Sequence, residues 1–214
     1  MNIYVAVGIF GIISNFVAAL ADLPLIKPGK PGENENISLN GVQPWWAEVP
    51  TKRFKLSFWL SFFGQPGAYV TLWLLADLIV KQSTPLAVAL KINTLIGCYT
   101  GLLCHMYFCM KPLIYQKLSK KMSDSECDEI LQAIDPITKI PMLIGGLTLW
   151  LSGTIIVAIA IITGALAVSK WCLLLNPIVA LIVLSIFKKC KIKIIGILGV
   201  GYMLLSVLLI IAGL

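Results

Sequence analysis

Apolar residues crowd into six stretches of this chain, about 3–22, 54–80, 86–110, 138–165, 172–187 and 194–213, and the polar residues gather between them. All but the fifth approach the ~20 residues that a helix needs to cross a bilayer. The pattern predicts an all-α integral membrane protein, a six-transmembrane helix bundle forming one domain over 1–214. A β-barrel would need many ~10-residue segments of strict alternation, and these are absent. The connection at 81–85 is too short for anything but an antiparallel hairpin, so neighbouring spans run up and down. The fifth stretch begins beside Trp171 and is short, which calls for local bilayer thinning or interfacial flanks.

One polar segment has its own helical period. Ser123 with Glu126 three residues on is a capping box. Cys127, Ile130, Leu131 and Ile134 then share a face at i, i+3, i+4 and i+7. Asp135-Pro136 ends the pattern, because the residue before a proline is pushed out of the helical region. This predicts one short amphipathic cytoplasmic helix at about 123–135. The long first connection begins KPGKPGENEN, a turn-rich stretch, and ends QPWWAEVP. There Trp45 and Trp46 suit a segment lying at headgroup level.

Composition agrees with the pattern: 58% hydrophobic, 13% charged, mean hydropathy +0.91. A soluble domain carries roughly 45–50% apolar and ~25% charged residues. Fourteen of the 17 basic residues fall after spans one, three and five, from Lys27 and Arg53 through Lys111 and Lys139 to Lys193; only Lys81, Lys91 and Lys170 face the other way. The positive-inside rule then puts both termini outside. The net charge of +7 is a topology signal and an attraction to anionic lipids, with no call for nucleic acid. Ala19-Leu20-Ala21 before Asp22 has the form of a signal-peptidase site. The preceding segment has no Lys or Arg, however, and cleavage would invert the charge pattern, so it is read as the first span. Five of the six cysteines fall in the membrane or on the cytoplasmic side, and Cys172 has no outer partner, so no disulfide framework is expected.

Polar residues within the spans fall on single helix faces. Gly8, Gly11, Asn15, Ala18 and Asp22 share one in span one. Ser57, Ser61, Gly64 and Ala68 share one in span two, with Gln65 adjacent. Lys91, Thr94, Cys98, Gly101, His105 and Cys109 share one in span three. Such stripes either pack helices together or line a site. At the outer end, Asp77 and Lys91 flank the tight hairpin and form a structural ion pair. At the inner end, Asp22, Asn15 and the chain's only histidine, His105, converge if spans one and three are neighbours. A carboxylate orienting an imidazole is an acid–base arrangement, so Asp22 and His105 are the catalytic candidates. Asn15, Gln65, Cys98, Trp45 and Trp46 are the ligand-binding candidates.

Cys98, His105 and Cys109 rise through ~16 Å of helix, too far for one ion, and only His105 and Cys109 could chelate together. No metal and no cofactor is expected. The chain has no GxxxxGK[ST], GxSxG, HExxH or CxxC motif. Ala21-Asp22 closing span one, Trp45-Trp46, the lone His105 and KWCLLLNP before span five resemble an uncharacterised bacterial family of small multi-pass membrane proteins. The resemblance implies a helical protein of the bacterial inner (plasma) membrane and carries no activity. The expected partners are membrane lipids and a small lipophilic ligand. Binding or transport of a small amphipathic or lipid-like molecule is the first reading; a lipid-modifying enzyme and a ligand-free accessory subunit are the alternatives.

Overall fold

A computed structural model describes residues 2–26, 42–189 and 196–214, the side chains of residues 188 and 189 excepted. Lys27, Lys30, Gly41, Cys190, Lys191 and Lys193 lie outside the described residues. Every regular element among those described is helical. In chain order these are α1 (Ile3–Leu20), a 3₁₀ turn (Leu23–Leu25), α2 (Trp45–Glu48), α3 (Lys52–Gly64), α4 (Pro66–Ile79), α5 (Thr84–Leu118) and α6 (Asp124–Gly146). A π-helical segment (Leu147–Ser152), α7 (Gly153–Ile162), a second 3₁₀ turn (Lys170–Leu174), α8 (Pro177–Lys189) and α9 (Ile197–Gly213) follow.

Three stretches are long and apolar enough to cross a membrane: Ile3–Leu25, Thr84–Leu118 and Asp124–Ile162. Pro177–Phe187 and Ile197–Gly213 are shorter apolar helices. The remaining apolar stretch, 54–80, is divided at Gln65 into α3 of 13 residues and α4 of 14. Pro66 causes the division, since it has no N–H to donate. Gln65 itself keeps helical dihedrals (φ −67°, ψ −33°), so the axis continues through the break. Ser14 of α1 bridges it, donating its hydroxyl to Gly64 O (2.8 Å) and accepting from Gly67 N–H (3.1 Å). Helix α1 thereby holds the junction of α3 and α4 closed.

The first and last helices pair antiparallel. Gly196 N–H donates to Ala19 O at one end (2.8 Å), and Asn2 Nδ2 donates to Gly213 O at the other (2.5 Å). The approach is close enough that a Cβ on Gly199 would lie 2.7 Å from the backbone oxygen of Asn15. Only glycine fits there. Apolar side chains such as Phe63, Tyr99 and Ile162 face outward. Ser14, Asn15, Ser57, Ser61, Thr71, Thr94 and Ser206 face inward and are buried.

Three expectations are corrected. The helix capped by Ser123 does not stop at Asp135-Pro136. It runs through Pro136 and Pro141 to Gly146, and the π segment and α7 continue it to Ile162. Asp135 explains why: its carboxylate is needed inside, where it accepts from Lys111 Nζ at 3.2 Å and from the Tyr107 hydroxyl. These contacts tie α6 to α5 at the residue where a free helix would break. Next, Trp45 and Trp46 do not lie on a surface. Both are buried, with Phe54 6.3 Å from Trp45 and Tyr115 5.7 Å from Trp46 between ring centroids. Gln116 Nε2 clamps α2 from α5 by donating to Trp46 O and Val49 O, each at 2.7 Å. Finally, the third helix extends past 110 to Leu118, because Pro112 sits inside it without ending it. At the opposite end of the bundle, Lys91 Nζ lies 2.6 Å from Asp77 Oδ1 and 4.9 Å over the Trp73 ring.

Candidate functional site

Helices α1, α3, α4, α5, α6 and α9 leave a cavity of about 310 Å³ between them. That lies at the lower end of the ~300–1,000 Å³ range of small-molecule sites. Its wall has two characters. Asp22, Asn15, His105, Ser61 and Gln65 supply polar groups, and Leu25, Phe108, Met142, Leu149, Trp150 and Leu198 supply apolar ones. Gly101, Gly145 and Gly146 lie in its wall, and Gly146 opens on free space. A Cβ at Gly146 would meet nothing within 4 Å.

Serine 57 sets the orientation of the histidine. Its hydroxyl has one proton, donated to Ala21 O at 2.7 Å. His105 Nε2 lies 3.1 Å from Ser57 Oγ and 3.3 Å from Ser57 O. Because the serine proton is committed, Nε2 must be the donor. In the neutral ring the lone pair is then on Nδ1, which points at the carboxylate of Asp22. The separation from Asp22 Oδ1 is 4.0 Å, wider than a hydrogen bond. So the carboxylate does not hold the ring; Ser57 of α3 does. Between Nδ1 and Asp22 is a gap flanked by two acceptors, and about half of the Asp22 side chain is exposed. A donor group on a guest molecule could bridge both.

The other polar residues are fixed more tightly. Asn15 Nδ2 donates to Gly11 O (2.7 Å) and reaches Ser206 Oγ (3.4 Å), which in turn contacts Thr71 Oγ1 (3.1 Å). Gln65 donates to Ser61 Oγ and accepts from the Tyr69 hydroxyl, both at 2.5 Å. The π segment contributes Leu149 and Trp150 to the wall, and its carbonyls find donors outside the helix. Tyr202 OH donates to Leu149 O (3.0 Å), and Asn93 Nδ2 donates to Thr148 O (3.1 Å). A π turn leaves carbonyls displaced from their usual partners, and such turns often occur at functional sites.

Of the residues singled out from the sequence, Asp22, His105, Asn15 and Gln65 line the one cavity. Cys98 does not: it contributes its backbone carbonyl to Tyr69 OH (3.1 Å). Trp45 and Trp46 sit apart, in the cluster with Phe54, Tyr115 and Cys127. Ser57, Tyr69 and Tyr202 are not singled out as site residues by the sequence. The polar stripe of span two did contain Ser57, and its inward phase was the available signal. Among the described residues no group of three or more His, Cys, Asp or Glu could hold a metal ion, and the cysteines Cys98, Cys104, Cys109, Cys127 and Cys172 are free.

Residues 1–214 match a family of unknown function (DUF6796), and the chain belongs to it. Comparison with curated proteins and with solved structures returns no match.

Proposed function

We propose that this family member is a six-span protein of the plasma membrane that binds or carries a small amphipathic molecule in the cavity between its helices. The observation that carries the reading is the division of one 310 Å³ cavity into an end with Asp22, His105 and Asn15 and a wall of Leu149, Trp150, Met142 and Phe108. A molecule with a polar head and an apolar body suits such a wall. The membrane setting is supported by the outward faces. Phe58, Trp59, Phe62 and Phe63 form a ladder of ring contacts between 5.2 and 6.0 Å, and Trp59, Phe62 and Phe63 are exposed. Soluble monomers rarely present apolar surface on that scale. Six spans follow if α3 with α4, joined through the Ser14 bridge, cross as one, and if α8 and α9 cross despite their length. The Lys and Arg distribution supports both termini outside.

A second reading rests on His105 Nδ1, whose lone pair faces Asp22 across an open gap. A base held that way by Ser57 could take a proton from a bound lipid, and the protein would then be a lipid-modifying enzyme. The binding reading is tested by filling the cavity at Gly146, where a side chain meets no neighbour. Native mass spectrometry of protein released from its own membrane is expected to show a retained small molecule, lost in Gly146→Phe at unchanged thermal stability. Identical retention in wild type and Gly146→Phe would refute the cavity as the site.

A further inference from the structure

Beside the main cavity lies a groove of about 220 Å³ between α5 and α6, lined mainly by apolar side chains such as Met106, Met110, Ile114 and Ile137, with Lys111 among them. A narrow void of about 10 Å³, lined also by Asp135 and Lys139, borders both. It shares Cys104, Phe108 and Met142 with the cavity, and Cys104, Tyr107 and Thr138 with the groove. Cys104 borders all three spaces. A void of that size is about one water across; Met142 bounds it on the cavity side and Tyr107 and Thr138 on the groove side, so joining the compartments takes side-chain shifts on both sides. Along α5 the path from His105 to Ile114 covers nine residues, or ~14 Å of rise. The hydrocarbon of one leaflet is ~15 Å deep, half of the ~30 Å core. The path therefore takes most of one lipid chain and, at the Cys104 constriction, is narrow enough for only one.

The head end has its own chemistry. The Asp22 carboxylate and the His105 Nδ1 lone pair are both acceptors, 4.0 Å apart, and no lysine or arginine lines the cavity among the described residues. A carboxylate facing a cavity favours a cation that also donates hydrogen bonds.

We propose that the ligand is a single-chain amphiphile with a protonated amine head, held between Asp22 and His105, whose chain passes Cys104 into the groove between α5 and α6. This rests on the cavity being the binding site, and it adds the ligand's charge, its single chain and its route. Met110 and Ile137 are exposed along the groove, so the groove opens on the outer surface of the bundle, and in a bilayer it would give the ligand lateral access.

The test uses the full-length protein in lipid nanodiscs and a photoreactive hexadecylamine carrying a diazirine on its terminal carbon, with cross-linked residues mapped by peptide mass spectrometry. The expected cross-links fall on Met110, Ile114 and Ile137. Excess hexadecylamine suppresses them, hexadecyl sulfate does not, and Asp22→Asn lowers them about two- to fivefold, the yield of a half-exposed charge pair. Cys104→Trp blocks the constriction and moves the cross-links to Leu149 and Trp150. If that variant fails to fold, Thr138→Phe closes the path from the other side with the same expected shift. Cross-links confined to the cavity wall in the wild type would overturn the tail route and leave the binding site standing. Equal suppression by hexadecyl sulfate would overturn the amine head. Groove labelling that neither hexadecylamine nor Asp22→Asn reduces is bulk-lipid labelling and overturns the proposal. No suppressible cross-link anywhere would sink the binding reading itself along with it.

Discussion

Among the described residues Lys111–Asp135 and Lys91–Asp77 are lysine–carboxylate pairs, and the structure predicts that the longer one matters more. Lys111 and Asp135 are 3.2 Å apart, with side-chain exposures of 1% and 6%. Asp77 and Lys91 are 2.6 Å apart, with exposures of 36% and 31%. Separation favours the outer pair, but burial decides. Asp135→Asn keeps the size and an acceptor for the Tyr107 hydroxyl while removing the carboxylate charge 3.2 Å from Lys111. Removing one partner of a buried pair costs about 3–5 kcal/mol. For a chain of this size each kcal/mol shifts Tm by roughly 2–4 °C, so the single variant should melt about 6–20 °C lower. Lys111→Met should be comparably damaging. The double variant should lie well above the sum of the two, with a coupling of about 1.5–3 kcal/mol. At the outer pair, Asp77→Asn, Lys91→Met and their double should reveal a coupling of only ~0.2–1 kcal/mol, the usual yield of a solvated pair. The assay is thermal unfolding of all seven proteins in one detergent. Strictly additive shifts at Lys111 and Asp135, or a larger coupling outside than inside, would refute the reasoning.

Two further outcomes follow from the site and the charge pattern. Single cysteines at Ser83 and Leu214 should react with an impermeant maleimide added outside intact cells and one at Gly41 should not; outer labelling of Gly41 would reverse the topology. His105→Gln should retain bound ligand but abolish turnover if the imidazole is a base, whereas under the binding reading it lowers affinity by about 1–3 kcal/mol, the cost of one unpaired buried partner; unchanged retention and unchanged stability would remove His105 from the site.

The helical class and the inward faces could be read directly from the chain, because a period of 3.6 is a local property. Asn15, Asp22 and His105 follow from helical phase and Gln65 from its place beside the stripe of span two, and all four line the cavity. What phase could not supply was the partner. His105 was matched with a carboxylate because that pairing has a familiar chemistry, yet the nearer group is Ser57, a small residue from another helix at the same depth. Trp45 and Trp46 were assigned to the headgroup layer from residue type. Their burial depends on Gln116, seventy positions further on, reaching back to Trp46 O. Asp135-Pro136 was read as a stop because the rule for residues before proline is local. The contact with Lys111 that overrides it is tertiary.

The glycines show most clearly where local reading ends. Gly8, Gly11, Gly64, Gly199, Gly101, Gly145 and Gly146 all look alike in sequence, small residues on inward faces. In the structure they fall into two kinds. At Gly199 a Cβ would strike the backbone oxygen of Asn15, and at Gly8 it would lie 2.9 Å from the backbone oxygen of Ser206. There the missing side chain lets two helices touch. At Gly146 the same omission meets empty space and leaves a void, whereas at the adjacent Gly145 a Cβ would already crowd Thr100 Oγ1 at 3.2 Å. The difference lies in where the π segment carries the helix after Gly146. Asn93 and Tyr202 bind its displaced carbonyls and so hold that part of the wall in place. A small-residue stripe thus becomes a seam or a cavity according to the hydrogen bonds made one turn further along. In this chain the donors that open the cavity, Asn93 and Tyr202, sit on helices other than the one they shape.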